Sequence, residues 1–129
     1  MTQERRRTDR IPVGFYVRQM VDGDPYRCFT TNLSTRGIFV ERVLSPMERR
    51  SNVVQIEVPL PGLDDTLWTR GEVVYDRFET LFHGTAIRFT GMANKHRRLL
   101  RSWLAETTVP ERKDMVFSDG VWIQRPAGR

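Results

Sequence analysis

One cysteine, Cys28, stands in a chain of 129 residues. An internal disulfide is therefore excluded, and the composition suits a reducing compartment, so a cytoplasmic protein is expected. One cysteine and two scattered histidines cannot close a tetrahedral zinc site. No run approaches the ~20 apolar residues of a membrane-spanning helix. The start is polar and arginine-rich with no apolar stretch behind it, so no secretory signal is expected. Signatures of catalysis are missing as well. There is no glycine-rich loop ending in Lys-Ser/Thr and no strand-borne GxGxxG, and no GxSxG elbow. His83 falls in a strand-like stretch and His96 in a helical one. Either could act as a general base in principle, but neither has a nucleophile beside it in the sequence. His96 reads as a packing residue on a helix face, and Cys28 as a core residue. The carboxylates are scattered among arginines, as surface charge is. The sequence therefore predicts no enzyme, no cofactor and no metal.

What is present is one domain's worth of chain with 39% apolar and 29% charged residues, a globular composition. The net charge of +5 favours anionic partners such as nucleic acid, phosphorylated small molecules or acidic membrane. Residues 11–21 (IPVGFYVRQMV), 26–33 (YRCFTTNL) and 38–44 (IFVERVL) are rich in β-branched and aromatic residues and read as strands. DGDP at 22–25 and STRG at 34–37 are the turns between them. In 52–60 (NVVQIEVPL) Val54, Ile56 and Val58 alternate with Val53, Gln55 and Glu57, the pattern of a half-buried strand. Residues 66–78 and 81–91 give a fifth and a sixth strand. The period then changes. Met92, Leu99, Leu100, Trp103 and Leu104 share one helical stripe in 92–107, and Pro110 follows as a stop. Six short strands and one helix predict a mainly β fold: a six-stranded antiparallel β-barrel with a C-terminal α-helix against it. Residues 115–124 fit either a strand–turn–strand unit with Asp119-Gly120 as the turn or a tail packed on the barrel.

Two stretches carry the binding chemistry. RRRTDR at 5–10 places Arg6 and Arg10 four residues apart, immediately before the first strand. Arginine pairs bidentately with phosphates and with the O6 and N7 acceptors of guanine. NLSTRG at 32–37 offers Asn32 and Ser34, whose short polar side chains stabilise turns. It also offers Gly37, which can take the positive φ a tight turn demands and lets backbone approach a ligand closely.

Together these residues resemble the PilZ domain family of bacteria. Its hallmark is RxxxR in an N-terminal loop followed, some twenty-odd residues on, by [D/N]xSxxG. Here they stand as Arg6 to Arg10 and Asn32 to Gly37. The likeness continues through GIFVER (37–42), VVQIEVPLPG (53–62), TRGEVVYDR (69–77) and HGTAIRF (83–89), over roughly residues 4–105. It implies a six-stranded PilZ-like split barrel and a receptor for cyclic di-GMP, bound by Arg6, Arg10, Asn32, Ser34 and Gly37. In the family the two arginines meet guanine edges and phosphates, and the turn holds another guanine on the outer face of the barrel. Arg5 is an additional candidate, because that position influences whether one or two ligand molecules are held. Arg36, unconstrained by the motif but inside the turn, is another. The link at 45–52 lacks a glycine often found in relatives, and 111–129 has no family counterpart.

The resulting division is a basic arm at 1–12, a barrel with its helix at 12–110 and an extension at 111–129. The expected partners are cyclic di-GMP and a downstream protein that reads the bound state. Two other readings remain open: a ligand-independent interaction module of the same fold, and a small barrel that binds nucleic acid. The second is not expected, because the basic residues gather on the arm and the helix and not along one barrel face.

Overall fold

Alternation of apolar side chains sets the strands. The computed structural model describes residues 11–44 and 49–107, with the backbone of 115–118 and 121–124. Six strands form a closed antiparallel barrel: β1 (Ile11–Val21), β2 (Asp24–Leu33), β3 (Gly37–Val43), β4 (Val53–Pro59), β5 (Thr66–Phe78) and β6 (Phe82–Met92). Their order around the barrel is β1-β2-β3-β6-β5-β4, and β4 returns to β1 where Arg18–Met20 face Glu57–Gln55. Closure leaves those segments without a free edge. The inward rows meet in a core of Val17, Val21, Leu33, Ile38, Val40, Val54, Ile56, Val58, Leu67 and Ile87. In β4 the buried residues are Val54, Ile56 and Val58, the set expected from alternation.

The first hairpin closes more tightly than the sequence suggests. Asp22 and Gly23 both have positive φ (52° and 89°), and Val21 pairs directly with Asp24. A two-residue turn of this hand matches the twist of its strands and carries pairing to its edge. For that reason β2 begins at Asp24 and not at Tyr26.

The helix α1 (Asn94–Thr107) also starts later than its stripe, since Met92 is the last residue of β6. Leu100 and Leu104 are buried in the core, with Leu99 and Trp103 packed beside them. The Trp103 indole Nε1–H donates to the Pro61 carbonyl at 2.9 Å, and its ring meets Phe15 edge-on at 6.0 Å. His96 does more than pack: its Nδ1 accepts the Trp68 backbone N–H at 3.1 Å and so ties the helix to β5. Cys28 is buried as expected, and burial pushes its thiol up to about 11, which makes it inert at neutral pH. Beyond the helix, β7 (Met115–Ser118) and β8 (Val121–Gln124) pair antiparallel, in agreement with the strand–turn–strand alternative, and β8 runs alongside β1.

One polar network escapes the sequence. Arg49 donates to both oxygens of Asp76, at 3.3 and 2.7 Å. The Thr85 hydroxyl lies 3.2 Å from Asp76 Oδ1 and His83 Nε2 lies 2.8 Å from it. Arg42 approaches His83 Nδ1 at 3.4 Å. A guanidinium can only donate, so this arrangement selects the imidazole tautomer with its proton on Nε2. Hydrogen bonding from Arg49 is the main cause that holds the Asp76 carboxyl down at about 2. A depressed carboxylate stabilises the fold above its unfolded pKa and loses that contribution as pH falls through the folded one. Wild type should therefore lose about 2 kcal/mol between pH 5 and pH 2 that Asp76→Asn does not lose. Denaturant melts of both proteins across that range check this; parallel curves would contradict it.

Candidate functional site

The site begins with an irregularity in β2. Cys28 and Thr30 point inward, so strict alternation would send Asn32 into the core and Leu33 into solvent. A bulge between Thr30 and Asn32 resets the register against β3, and Leu33 becomes fully buried while Asn32 is half-buried. One extra residue flips every following side chain to the other face. The Thr30 hydroxyl secures the bulge, lying 2.9 Å from the Phe39 carbonyl and 3.2 Å from that of Asn32. Among the described residues the side-chain amide of Asn32 has no hydrogen-bond partner, so its donor and acceptor are both available.

Ser34 then builds the turn from inside. It is 8% exposed, and its Oγ accepts the backbone N–H groups of Arg36 at 3.0 Å and Gly37 at 3.1 Å. Its own N–H donates to the Gly37 carbonyl at 2.9 Å. The Arg36 carbonyl accepts the Phe89 N–H at 2.7 Å, which pins the turn to β6. Two backbone donors fill the lone pairs of the hydroxyl. Its proton meets only the Gly37 carbonyl, at a long 3.5 Å.

Gly37 corrects an expectation. Its φ is not positive; that conformation is found at Gly23 and Gly62. The requirement is close approach. A Cβ on Gly37 would collide with the Ile87 carbonyl oxygen and lie 3.4 Å from Arg88 Cα, both backbone atoms of the paired strand β6. Glycine is needed because β3 and β6 come together at the start of their ladder, where Gly37 faces Arg88.

These residues form one wall of an open groove of about 260 Å³ on the outer surface of the barrel. Asn32, Ser34, Arg36 and Gly37 stand on that wall. Phe39 and Ala86 lie across the middle, and Val74, Tyr75 and Arg88 stand opposite. Strand register assembles the set: Asn32 pairs with Phe39, Phe39 with Ala86, and Ala86 with Tyr75. A second bulge between Val73 and Tyr75 leaves both Val74 and Tyr75 exposed. Phe39 is held by the Tyr75 ring at 6.4 Å and the Arg77 guanidinium at 4.9 Å. Arg88 is paired with Glu72 at 2.5 Å, an exposed pair of small energetic worth from which it can turn to an anion.

The groove thus offers an amide, a hydroxyl, two guanidinium groups and an aromatic face. That set hydrogen-bonds a purine edge, stacks on a flat ring and meets a phosphate. It contains no paired base and nucleophile, and both histidines lie outside it. Asn32, Ser34, Arg36 and Gly37 are brought together here. Arg5, Arg6 and Arg10 lie outside the described residues. The chain they belong to enters β1 at Ile11, which pairs with Leu33, the residue before Ser34. Tyr75, Ala86, Arg88 and Phe39 were missed by motif reading. They sit within the stretches TRGEVVYDR, HGTAIRF and GIFVER, but only strand pairing shows that they share a face with Asn32.

A family model described as PilZ domain matches residues 4–106. No curated protein matches the chain significantly. Among solved structures, the Bacillus subtilis inhibitor of motility MotI/DgrA superposes with a TM-score of 0.69 at 14% identity, over 80% of this chain and 51% of that one. The PilZ domain of YcgR from Escherichia coli, solved with c-di-GMP, gives 0.65 at 17% identity, over 81% and 92%. Borreliella burgdorferi PlzA in complex with c-di-GMP gives 0.51 at 8% identity, over 95% and 72%. The chain spans about half the length of MotI/DgrA. Among the described residues no helix is long and apolar enough to cross a membrane.

Proposed function

Because the chain belongs to the PilZ domain family, we propose that it is a cyclic di-GMP receptor that closes its N-terminal arginines over the groove. Arg6 and Arg10 would take the phosphates and one guanine. Asn32, the Ser34 hydroxyl and the open backbone at Gly37 would take another guanine edge. Arg5 and Arg36 would add charge beside them. The observation that carries this reading is the position of Ile11. The arginine arm joins the barrel next to Leu33, at the edge of the groove that Asn32, Ser34 and Gly37 line. The chain that carries the first motif therefore joins the barrel beside the second. The structures of YcgR and PlzA with c-di-GMP support the choice of ligand.

The division of labour is an arm at 1–12, a barrel with its helix at 12–110 and an extension at 111–129. Ordering the arm around the ligand creates a surface of protein and dinucleotide, and a downstream protein reads that surface. The domain acts by binding and not by catalysis.

A hydrogen bond to a charged group contributes about 1.5–3 kcal/mol. Four or five, less the cost of ordering the arm, leave ~7–9 kcal/mol, or micromolar to submicromolar affinity. Calorimetric titration at near-physiological salt should show this, with GTP and cyclic di-AMP much weaker. Absence of both heat and a thermal shift at ~100 µM ligand would reject the reading in favour of a ligand-independent module.

A further inference from the structure

Most barrel arginines are occupied. Arg18, Arg49, Arg77 and Arg88 each face a carboxylate, at 3.7, 2.7, 3.2 and 2.5 Å. Arg27 and Arg42 lie over tyrosine rings at 3.9 and 5.3 Å. Arg36, Arg50 and Arg70 have no such partner among the described residues but are scattered over a turn, a link and a strand. The helix is different. Lys95, Arg97, Arg98 and Arg101 are all exposed, lie within two turns of one another, and meet no carboxylate and no ring among the described residues. The only acidic residue of α1 is Glu106, near its far end.

This placement opposes helix stability. The helix opens with the Arg97 N–H donating to the Ala93 carbonyl at 2.9 Å, so Ala93, which has no side-chain oxygen, stands at the cap. Three of the four cations then occupy the half nearest the positive end of the helix dipole, and the first turn contains no acidic residue. A side-chain arrangement that breaks a local rule with no local compensation points to a use elsewhere.

We propose that the exposed face of α1 is a docking surface for the phosphate backbone of B-form DNA, separate from the dinucleotide groove. Arginine predominates, and its planar fork fits phosphate oxygens better than an ammonium does. At 100° per residue the four cations cover nearly half of the helix circumference, with Arg98 and Arg101 near the middle and Lys95 and Arg97 on the flanks. A surface curved in this way meets phosphates on both walls of a groove. The B-DNA major groove admits an α-helix, whereas the A-form groove of duplex RNA is too narrow. A membrane fits less well. An interfacial helix buries an apolar face in lipid, and the apolar face of α1 (Leu99, Leu100, Trp103 and Leu104) is already committed to the barrel.

The test uses the full chain and a fluorescently labelled 24-base-pair duplex DNA of arbitrary sequence, with anisotropy measured from 50 to 200 mM NaCl. The comparators are the same sequence as duplex RNA and vesicles of equal parts phosphatidylglycerol and phosphatidylcholine. About four phosphate contacts predict a slope of log K against log salt of about −3 to −4. The double variant Arg98→Glu/Arg101→Glu should weaken duplex DNA binding at least tenfold and reduce that slope by about 2. Its melting temperature should equal or slightly exceed wild type, because both side chains are exposed and glutamate suits the positive half of the helix dipole better than arginine, and cyclic di-GMP titration should be unaffected. Duplex DNA binding that survives the double substitution would overturn the proposal, since the contacts then lie elsewhere. Equal affinity for duplex RNA would overturn the groove argument. Helix-dependent binding to vesicles with none to DNA would assign the face to membrane, and no binding to any of the three would leave these charges as a solvated face.

Discussion

Gly37→Ala should lower the unfolding free energy by about 3 kcal/mol and weaken dinucleotide binding at least tenfold, and Gly37→Val should be little worse. The first carbon added already meets the Ile87 carbonyl oxygen, a backbone atom held in the β3–β6 ladder. Relief would require the two strands to part where the ladder begins. That end also holds the Arg36 carbonyl against the Phe89 N–H at 2.7 Å, so the turn and its wall of the groove would shift together. The near equality of alanine and valine distinguishes this account from one based on a left-handed backbone. In the left-handed case alanine costs about 1 kcal/mol and a β-branched residue considerably more. Denaturant melts of both variants decide it, and an alanine variant as stable as wild type would show that β6 yields easily.

Ser34→Ala is the natural companion to that experiment. The hydroxyl is buried and accepts two backbone N–H groups, so its loss should reach stability as well as binding, by about 1–3 kcal/mol. Read from the sequence, the same residue lies on an exposed turn and its loss damages mainly binding. The structure changes that expectation because the side chain faces into the turn it closes.

What was legible in this chain was local. Alternation in 53–58 and the stripe through Leu100 and Leu104 announced a strand and a helix, because each pattern lies within a few residues and reflects one buried face. The Asn-x-Ser-x-x-Gly turn was legible for the same reason. The opposite wall of the groove was not. Tyr75 and Arg88 stand far from Asn32 in the chain, and nothing in either stretch reveals that pairing through Phe39 and Ala86 sets them on one outer face. Bulges hide still better. Asn32 reaches the groove only because Thr31 is extra, and a strict two-residue period would have buried it. Asp76 and His83 looked like surface charge and a stray histidine. Their network depends on Arg49 arriving from a link with no strand pattern of its own. Long-range pairing and single-residue irregularities are the parts of a β-barrel that sequence periodicity does not encode.

Arg6→Ala and Arg10→Ala should each weaken cyclic di-GMP binding by about 2 kcal/mol or more, some thirtyfold, and the pair together should abolish it at accessible concentrations. A guanidinium removed from a phosphate leaves the ligand's charge facing water or the remaining arginine. Of the groove's own cations, Arg88 is engaged with Glu72 and Arg36 lies in the turn, and an amide and a hydroxyl cannot replace a bidentate ion pair. Arg→Lys at either position should recover only part of the loss, since an ammonium supplies charge without the planar fork that guanine edges and phosphates share. That partial recovery separates specific recognition from simple attraction of an anion to a basic chain, where lysine would serve as well. The buried hydrophobic residues of the described core run from Ile11 to Leu104, so neither substitution should move the melting temperature of the free protein appreciably. The thermal shift on adding ligand should nonetheless collapse. Binding that is unchanged in either variant would remove that arginine from the site. Unchanged binding in both would place the ligand contact wholly in the groove and leave the arm without a role in closing it.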